Sequence, residues 1–266
     1  VEYRRDFHID MKIIYYERFN DASFRAKSEE CLNQHPDGVV VVPAELEITR
    51  DFTTALHENN IPFIMLDSYM PELKPLSFYG QDSFSSGFFA AKVLMMKAFD
   101  QQEIMLMKQI KNGHVTSTQQ ANREVGFRNY MKKFFPQVKI IEVNLPLDCS
   151  KEEHSAILED YFTHHPHTHH CITFNSKAYL VGEFLLQTQR NDIQIMGYDM
   201  VARNAESLRK GNISFLIAQH AYMQGYSCID ALFRVIVLKK KIQPVNYMPI
   251  ELIMKENIDF YRRTQL

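Results

Sequence analysis

Short runs of apolar residues alternate along the chain with segments whose apolar residues recur at helical intervals. In the first third, nearly continuous apolar runs occupy residues 11–16, 38–42 and 61–66. Such runs, without polar alternation, are typical of strands buried on both faces of a sheet. Between them, residues 23–32 and 50–58 have the spacing of amphipathic helices. The pattern therefore predicts the order β-α-β-α-β.

The rest of the chain shows the same alternation. Strands are predicted at 104–108, 139–144, 171–174, 193–198 and 213–218, and helices at about 122–135, 151–162 and 176–189. Alternating strands and helices form parallel sheets joined by right-handed crossovers. We therefore predict an α/β fold of two doubly wound parallel-sheet lobes joined by crossover strands. Such folds bind ligands in the crevice at the carboxyl ends of the strands.

Each predicted lobe is built from two separate stretches of chain. Residues 1–100 with 219–243 form the amino-terminal lobe, and residues 101–218 with 244–266 form the carboxyl-terminal lobe. Residues 1–7 have the pattern of a helix end that leads directly into the strand at 11–16. A doubly wound lobe has a further strand before such a helix. We therefore expect the first strand of this lobe to be missing from the chain.

Composition favours a packed globular protein over a nucleic-acid or membrane protein. Of the 266 residues, 45% are apolar and 23% are charged, which suffices for the cores of two ordinary domains. The net charge is −2 and the pI is about 6.6, so the chain has no overall attraction for DNA or an anionic membrane. No apolar run approaches the roughly 18 residues of a membrane-spanning helix. We expect no membrane contact.

Residues that could carry metal or redox chemistry lack the usual spacing. Cys31, Cys149, Cys171 and Cys228 form no CxxC pair, which argues against a disulfide framework or zinc site and favours reduced thiols in a cytosol. The histidines within 164–170 have no carboxylate or cysteine in ligand register, so we interpret them as a solvated loop. The motifs GxSxG, HExxH, GxGxxG and the P-loop do not occur. We predict no metal, no cofactor and no enzyme activity.

Short motifs follow one another in a fixed order between residues 36 and 225. They are Pro36-Asp37-Gly38-Val39, Ile61-Pro62 with Asp67, Gly80-Gln81-Asp82 with Gly87, Arg123 with Gly126-Phe127, Asn175 with Ala178, Gly197-Tyr198-Asp199, and Gln219 with Gly225. In this order and spacing they resemble the effector-binding core of the lactose/galactose repressor (LacI/GalR) family of bacterial transcription regulators. The resemblance implies the fold of type I periplasmic-binding proteins, which that family shares.

The resemblance also implies a set of residues that bind the effector. They are Asp82, Arg123, Asn175, Asp199 and Gln219. Asp82 follows the strand-like residues 76–79 and precedes a helix start at 85–87, while Asn175 and Asp199 each lie at the end of a predicted strand, so each can equally serve as a helix cap. Arg123 can hold two hydroxyls or a carboxylate with its fork of donors, or pair with Glu124 at the surface. Met200 departs from the family's pattern, in which a second aspartate is usual.

The function implied is that of the ligand-binding and dimerising part of a cytoplasmic transcription regulator. Its effector would be a small molecule such as a sugar, and operator DNA would be bound only through a helix-turn-helix headpiece, which the family places before the core and this chain lacks. Apolar helical stretches at 84–96 and 222–237 would form the homodimer or pack inside their own lobes. The alternatives are a periplasmic sugar-binding protein, an extracellular sensor domain and, third, an enzyme on this fold.

Overall fold

The structure is built from alternating strands and helices, as predicted. This computed structural model describes residues 7–17, 20–96, 102–111, 113–115 and 117–263. The helices are α1 (Asp21–Leu32), α2 (Leu46–Glu58), α3 (Ser83–Met95), α4 (Thr118–Phe134), α5 (Lys151–His164), α6 (Ala178–Gln187), α7 (Ala202–Lys210), α8 (Ala221–Ile236) and α9 (Ile258–Arg263). The strands are β1 (Val39–Val41), β2 (Phe63–Leu66), β3 (Ser77–Gly80), β4 (Glu103–Lys111), β5 (His114–Val115), β6 (Lys139–Pro146), β7 (His170–Thr173), β8 (Gln194–Tyr198), β9 (Phe215–Ala218), β10 (Val245–Tyr247) and β11 (Glu251–Ile253).

The chain divides into two compact units, each assembled from separate stretches. Unit 1 comprises Val1–Phe78 and Cys228–Pro244, and unit 2 comprises Tyr79–Ser227 and Val245–Leu266. The first division therefore falls after Phe78 and not at residue 100, because α3 packs along α4 and belongs with unit 2. The second division falls inside α8, whereas the predicted boundary preceded that helix. The third lies within one residue of the prediction.

Unit 1 contains β1, β2 and the first two residues of β3, which are neighbours in one small sheet. Strands β1 and β2 are parallel, with Val39 opposite Phe63. Phe24 of α1 and Phe52 of α2 pack edge to face, with ring centroids 6.0 Å apart, and both rings are buried. Leu56 adds a fully buried aliphatic side chain from α2. The helical spacing seen in the sequence therefore does mark the faces that form this core.

Residues 11–16 do not form the predicted strand. They pair with no strand in the described ranges, and the side chains of Met11, Ile13 and Tyr15 are 58%, 60% and 79% exposed. Contact with the unit comes instead from Tyr16, whose hydroxyl donates to the Val42 carbonyl at 3.1 Å. An apolar run identifies a strand only where a neighbouring strand supplies its hydrogen bonds. The helix end predicted over residues 1–7 lies outside the described residues, apart from Phe7, which is not helical.

Unit 2 contains a larger sheet whose central strands are parallel. Strand β4 lies between β6 and β7, and β8 and β9 follow in order. Strand β11 pairs antiparallel with β9, and β5 pairs antiparallel with β4. Apolar side chains form one core cluster that includes Met105, Leu158 and Phe184, and a second that includes Leu94 and Phe127. Two apolar layers are what a parallel sheet covered on both faces requires.

Two glycines allow α3 and α4 to approach each other closely. A Cβ atom on Gly87 of α3 would lie 1.9 Å from the carbonyl oxygen of Arg123, and one on Gly126 of α4 would lie 2.0 Å from that of Phe84. No other residue type lacks a Cβ, so only glycine permits this contact. The pair of close approaches fixes the backbone of Arg123 relative to α3.

Much of the apolar surface of α3 and α8 is buried. Ala91, Leu94 and Met95 of α3 are inaccessible to solvent or nearly so, as are Leu232 and Phe233 of α8. These residues therefore pack in the interior, which was the alternative to a dimer surface. Several large apolar side chains of the two segments stay exposed, namely Phe84, Met96, Tyr222, Met223 and Tyr226.

Candidate functional site

The predicted ligand-binding residues all lie in unit 2. Asn175 follows β7, Asp199 follows β8 directly and Gln219 follows β9 directly. These strands are adjacent and parallel, so the residues that follow them emerge at one edge of the sheet. Arg123 comes from the second turn of α4, and Asp82 lies between β3 and α3.

Arg123 is held inside the unit and not at its surface. Its side chain is among the largest fully buried ones, and its guanidinium lies 4.1 Å above the centre of the Tyr198 ring. Nη1 donates to the Phe174 carbonyl at 2.9 Å, and Nη2 donates to Oε1 of Gln219 at 2.6 Å. The buried Nε has no hydrogen-bond partner in the described part of the chain. A cation with donors left over is suited to hold an oxygen-rich ligand.

Arg123 does not form the surface ion pair with Glu124 that the sequence left open as an alternative. Glu124, its sequence neighbour, accepts instead from Lys108 Nζ at 2.9 Å and from Arg128 Nε at 2.7 Å. Glu124 and Lys108 are themselves mostly buried, and Lys108 Nζ also pairs with Glu142 at 2.9 Å. Glu124 is therefore paired with Lys108 and Arg128, and the Arg123 guanidinium hydrogen-bonds to groups in the interior.

Gln219 connects Arg123 to Asp199. Its Oε1 accepts from Arg123, and its Nε2 donates to the Asp199 carboxylate in a short hydrogen bond. Its own backbone carbonyl accepts from Gln224 Nε2 at 2.6 Å, which fixes the start of α8 against the loop. The amide thus relays hydrogen bonding from a guanidinium to a carboxylate. The structure brings these three predicted residues together as one network.

Asn175 and Asp82 are placed differently. Asn175 is 8% exposed; its Oδ1 accepts from the backbone N–H of Lys177 at 2.8 Å, and its Nδ2 donates to Gln120 Oε1 at 3.3 Å. Asp82 caps α3, and its two oxygens accept from the backbone and hydroxyl of Ser85 at 2.9 and 2.8 Å. Within the described residues, neither joins the hydrogen-bonded network of Arg123, Gln219 and Asp199. For Asp82 the capping alternative describes what is seen.

Ser86 and Gln81 lie beside this network and were not predicted from the sequence to be functional. Ser86 Oγ lies 2.7 Å from Gln81 Oε1 and 3.0 Å from the Tyr198 hydroxyl. Gln81 Nε2 in turn donates to the carbonyls of Ala218 and Pro249. Burial raises the pKa of Tyr198 to about 12, although Arg123 and the Ser86 hydrogen bond oppose the shift. Tyr198 therefore keeps its proton and supports Arg123 as a neutral ring.

The histidine-rich segment is less solvated than predicted. His170 is the first residue of β7 and is buried, and His169 Nδ1 lies 2.9 Å from Asp192 Oδ2. Nowhere in the described ranges do three histidine, cysteine or acidic side chains come together as a metal site would need. None of the helices in those ranges combines the length and apolar character that crossing a membrane requires.

Chemically, the site offers guanidinium donors, an amide that both donates and accepts, and a carboxylate acceptor. This combination matches vicinal hydroxyl groups, which donate to a carboxylate and accept from arginine. The fold and the site define a class, an α/β small-molecule-binding protein with its polar site at the carboxyl edge of a parallel sheet. The chain belongs to the periplasmic binding protein domain family, whose model matches residues 1–241.

Solved structures agree with this assignment. A protein from Bacteroides fragilis, assigned as a LacI transcriptional regulator, is 42% identical, with a TM-score of 0.92 over 98% of this chain and 89% of its own. An ABC transporter solute binding protein from Burkholderia graminis in complex with D-arabinose is 15% identical, with a TM-score of 0.81 over 92% and 84% of the two chains. One from Actinobacillus succinogenes with bound D-allose is 19% identical, with a TM-score of 0.77 over 91% and 85%. The last two show the fold alone. A search of curated proteins gave no match.

Proposed function

We propose that the chain is the effector-binding core of a LacI-type transcriptional regulator and that its effector is a sugar. The observation that carries the proposal is the network of Arg123, Gln219 and Asp199 at one sheet edge. A guanidinium and a carboxylate joined by an amide carry balanced charge, which suits a neutral polyol better than an anion. The 42% identity to the Bacteroides fragilis protein that is assigned as a LacI transcriptional regulator supports the proposed role in transcription.

The remaining parts of the proposal follow from this assignment. The core would act as a homodimer in the cytoplasm and contact operator DNA only through a helix-turn-helix headpiece outside these residues. Its four cysteines are all free thiols, which supports a reducing compartment. Asp82 and Asn175 remain proposed ligand contacts beside the network. The site would bind its ligand without turnover, because its groups provide hydrogen bonds and contain no nucleophile paired with a base.

A periplasmic sugar-binding protein is the second candidate. It is favoured by the family's own name and by the transporter proteins of the same fold that hold D-arabinose and D-allose. The gene that encodes this chain separates the two candidates. A helix-turn-helix there supports the regulator, and an export signal supports the transporter protein.

The ligand site is tested by replacing Asp199 with asparagine. Asp199 has a φ of 69°, a conformation that asparagine tolerates and alanine does not, so Asp199→Asn removes the charge without adding strain. We expect isothermal titration calorimetry to find a ligand among D-arabinose, D-allose, D-ribose, D-galactose and D-tagatose. We expect Asp199→Asn to weaken that binding by about tenfold or more, the value of one good hydrogen bond to a charged group.

The control is Asp160→Asn, which changes an exposed carboxylate on α5 and should leave binding intact. Melting temperatures of both variants should stay close to that of the unsubstituted chain. The site assignment is wrong if Asp199→Asn binds as tightly as the control. The sugar assignment is wrong if no member of the panel binds.

A further inference from the structure

Asn204, in the first turn of α7, contacts two of the loops that carry the candidate site. Its side chain is completely buried. Its Oδ1 accepts from the backbone N–H of Tyr179 at 3.0 Å, and its Nδ2 lies within hydrogen-bond distance of three backbone carbonyls. These are Ser176 at 3.2 Å, Tyr198 at 2.9 Å and Asp199 at 3.0 Å. One amide therefore joins the loop after β7, the start of α6 and the loop after β8.

These contacts reach the backbone on which two candidate ligand residues stand. Ser176 directly follows Asn175, whose own side chain closes the same loop by accepting from Lys177. Asp199 itself has a φ of 69°, a left-handed conformation that is unfavourable for most residues and persists when neighbouring contacts hold it. Asn204 holds the Asp199 carbonyl, and the Asp199 N–H donates to Ile217 at 3.0 Å. Both peptide groups of Asp199 are thus fixed.

An asparagine is well matched to this position. Its amide has one acceptor oxygen and two donor hydrogens in a plane, and with three carbonyls in range at least one hydrogen is shared. An apolar side chain of similar size would leave three carbonyls and one N–H of these loops without this partner. The groups it holds belong to two segments outside its own helix, 176–179 and 198–199, so Asn204 does more than stabilise α7.

We propose that Asn204 is a positioning residue for the ligand site: it pre-organises the loops after β7 and β8 so that Asn175 and Asp199 present their polar groups without reordering on binding. Pre-organisation of this kind strengthens binding because the ligand does not have to order the loops. The proposal rests on the proposed function in that it assumes these loops contact the ligand. In the described part of the chain, the hydrogen bonds of the Asn204 side chain go to backbone groups.

The experiment has one arm that needs no ligand. Hydrogen–deuterium exchange is measured on the unsubstituted chain, on Asn204→Ala and on Leu208→Ala. Leu208 lies one turn further along α7, is fully buried and belongs to the apolar core cluster. We expect Asn204→Ala to speed exchange of the Tyr179 amide and of the loops at 175–179 and 198–201 by about tenfold, and Leu208→Ala to leave those loops close to the unsubstituted rate after correction for its lower global stability.

The second arm measures affinity for whichever sugar of the panel binds the unsubstituted chain most tightly. We expect Asn204→Ala to weaken binding by about tenfold, and Leu208→Ala to weaken it by less than about twofold at a similar melting temperature. If Asn204→Ala does not fold, Asn204→Ser, which keeps one hydroxyl donor, takes its place with an intermediate loss. A purely structural role would make affinity follow the melting temperature in both helix variants alike.

The outcomes separate the two proposals. Local exchange that is unchanged in Asn204→Ala overturns the positioning role whether or not a ligand is found. Affinity that matches the Leu208→Ala control overturns it as well. If no sugar binds the unsubstituted chain, the proposed function fails, and the exchange measurement alone still decides whether Asn204 fixes the two loops.

Discussion

At the scale of single residues, Arg123 gives the site its character. An arginine has five N–H donors, and two of the nitrogens of Arg123 donate to protein acceptors while the buried Nε does not. Its truncation would leave the Phe174 carbonyl and Gln219 without a donor and open a cavity beside Tyr198. Arg123→Ala would thus change stability and binding together. Asp199→Asn is the cleaner probe because its partner Gln219 keeps an acceptor.

Burial of His170 makes the folding stability depend on pH. Burial, with a smaller contribution from His169, lowers the pKa of His170 from 6.5 to about 4. The unfolded chain therefore binds a proton near pH 6.5 that the folded chain does not bind until about pH 4. The stabilisation is fully present above pH 6.5 and is lost as the pH falls towards 4. At about 1.4 kcal/mol per pKa unit, it amounts to about 3 kcal/mol.

The corresponding variant is His170→Leu, which cannot take up the proton. We expect its free energy of unfolding, measured in urea, to fall by about 3 kcal/mol less between pH 7 and pH 4 than that of the unsubstituted chain. The comparison variant is His164→Gln, which removes an exposed histidine of α5 and leaves His170 in place. Parallel pH profiles for His170→Leu and the unsubstituted chain would contradict this explanation.

At the scale of helices and strands, the sequence predicts elements where the apolar pattern is long enough. The strands β4, β7, β8 and β9 each contain a short apolar run, and each appears within a few residues of its predicted position. The three-residue strands β10 and β11 are too short to show a period, and the polar helix α7 has few apolar positions. The apolar run at 11–16 has the pattern of a strand, but no neighbouring strand pairs with it among the described residues.

The packing of α3 on α4 provides a prediction at this scale. Gly126→Ala would place a methyl group 2.0 Å from the Phe84 carbonyl, and backbone atoms cannot move aside easily. We expect it to destabilise the protein by about 3 kcal/mol in urea unfolding. The matched control is Gly225→Ala in α8, where nothing lies within 4 Å, and which should be neutral or stabilising by up to about 1 kcal/mol. Equal effects of the two substitutions would show that the close helix contact is not required.

At the scale of the whole molecule, the sequence pattern predicts the α/β architecture more completely than it predicts the ligand site. The alternation of strands and helices is sufficient for two α/β units because it dictates parallel sheets. The division at Phe78 follows from how α3 packs, which no local pattern contains. Likewise, Arg123 and Gln219 are 96 residues apart, and only the fold shows that they share a hydrogen bond. Asn204 gave no signal at all, because a buried asparagine resembles a surface one in sequence.

The proposed homodimer is a property of the whole chain. The exposed apolar side chains on α3 and α8 give each copy surface to bury in a symmetric contact. We expect sedimentation equilibrium at micromolar concentration to give about twice the chain mass of 31.2 kDa. A mass of one chain at every accessible concentration would argue against the dimer and would favour the transporter protein.

Nuclear magnetic resonance can follow the Arg123 side chain itself during a sugar titration and so test whether the network binds the ligand. In a ¹⁵N-labelled sample, the Nε–H resonance of Arg123 is assigned by its loss in Arg123→Lys. We expect this signal and the side-chain amides of Gln219 and Asn175 to shift together on binding and to saturate at the dissociation constant found by calorimetry. A sugar that binds while all three signals stay unmoved would contradict it.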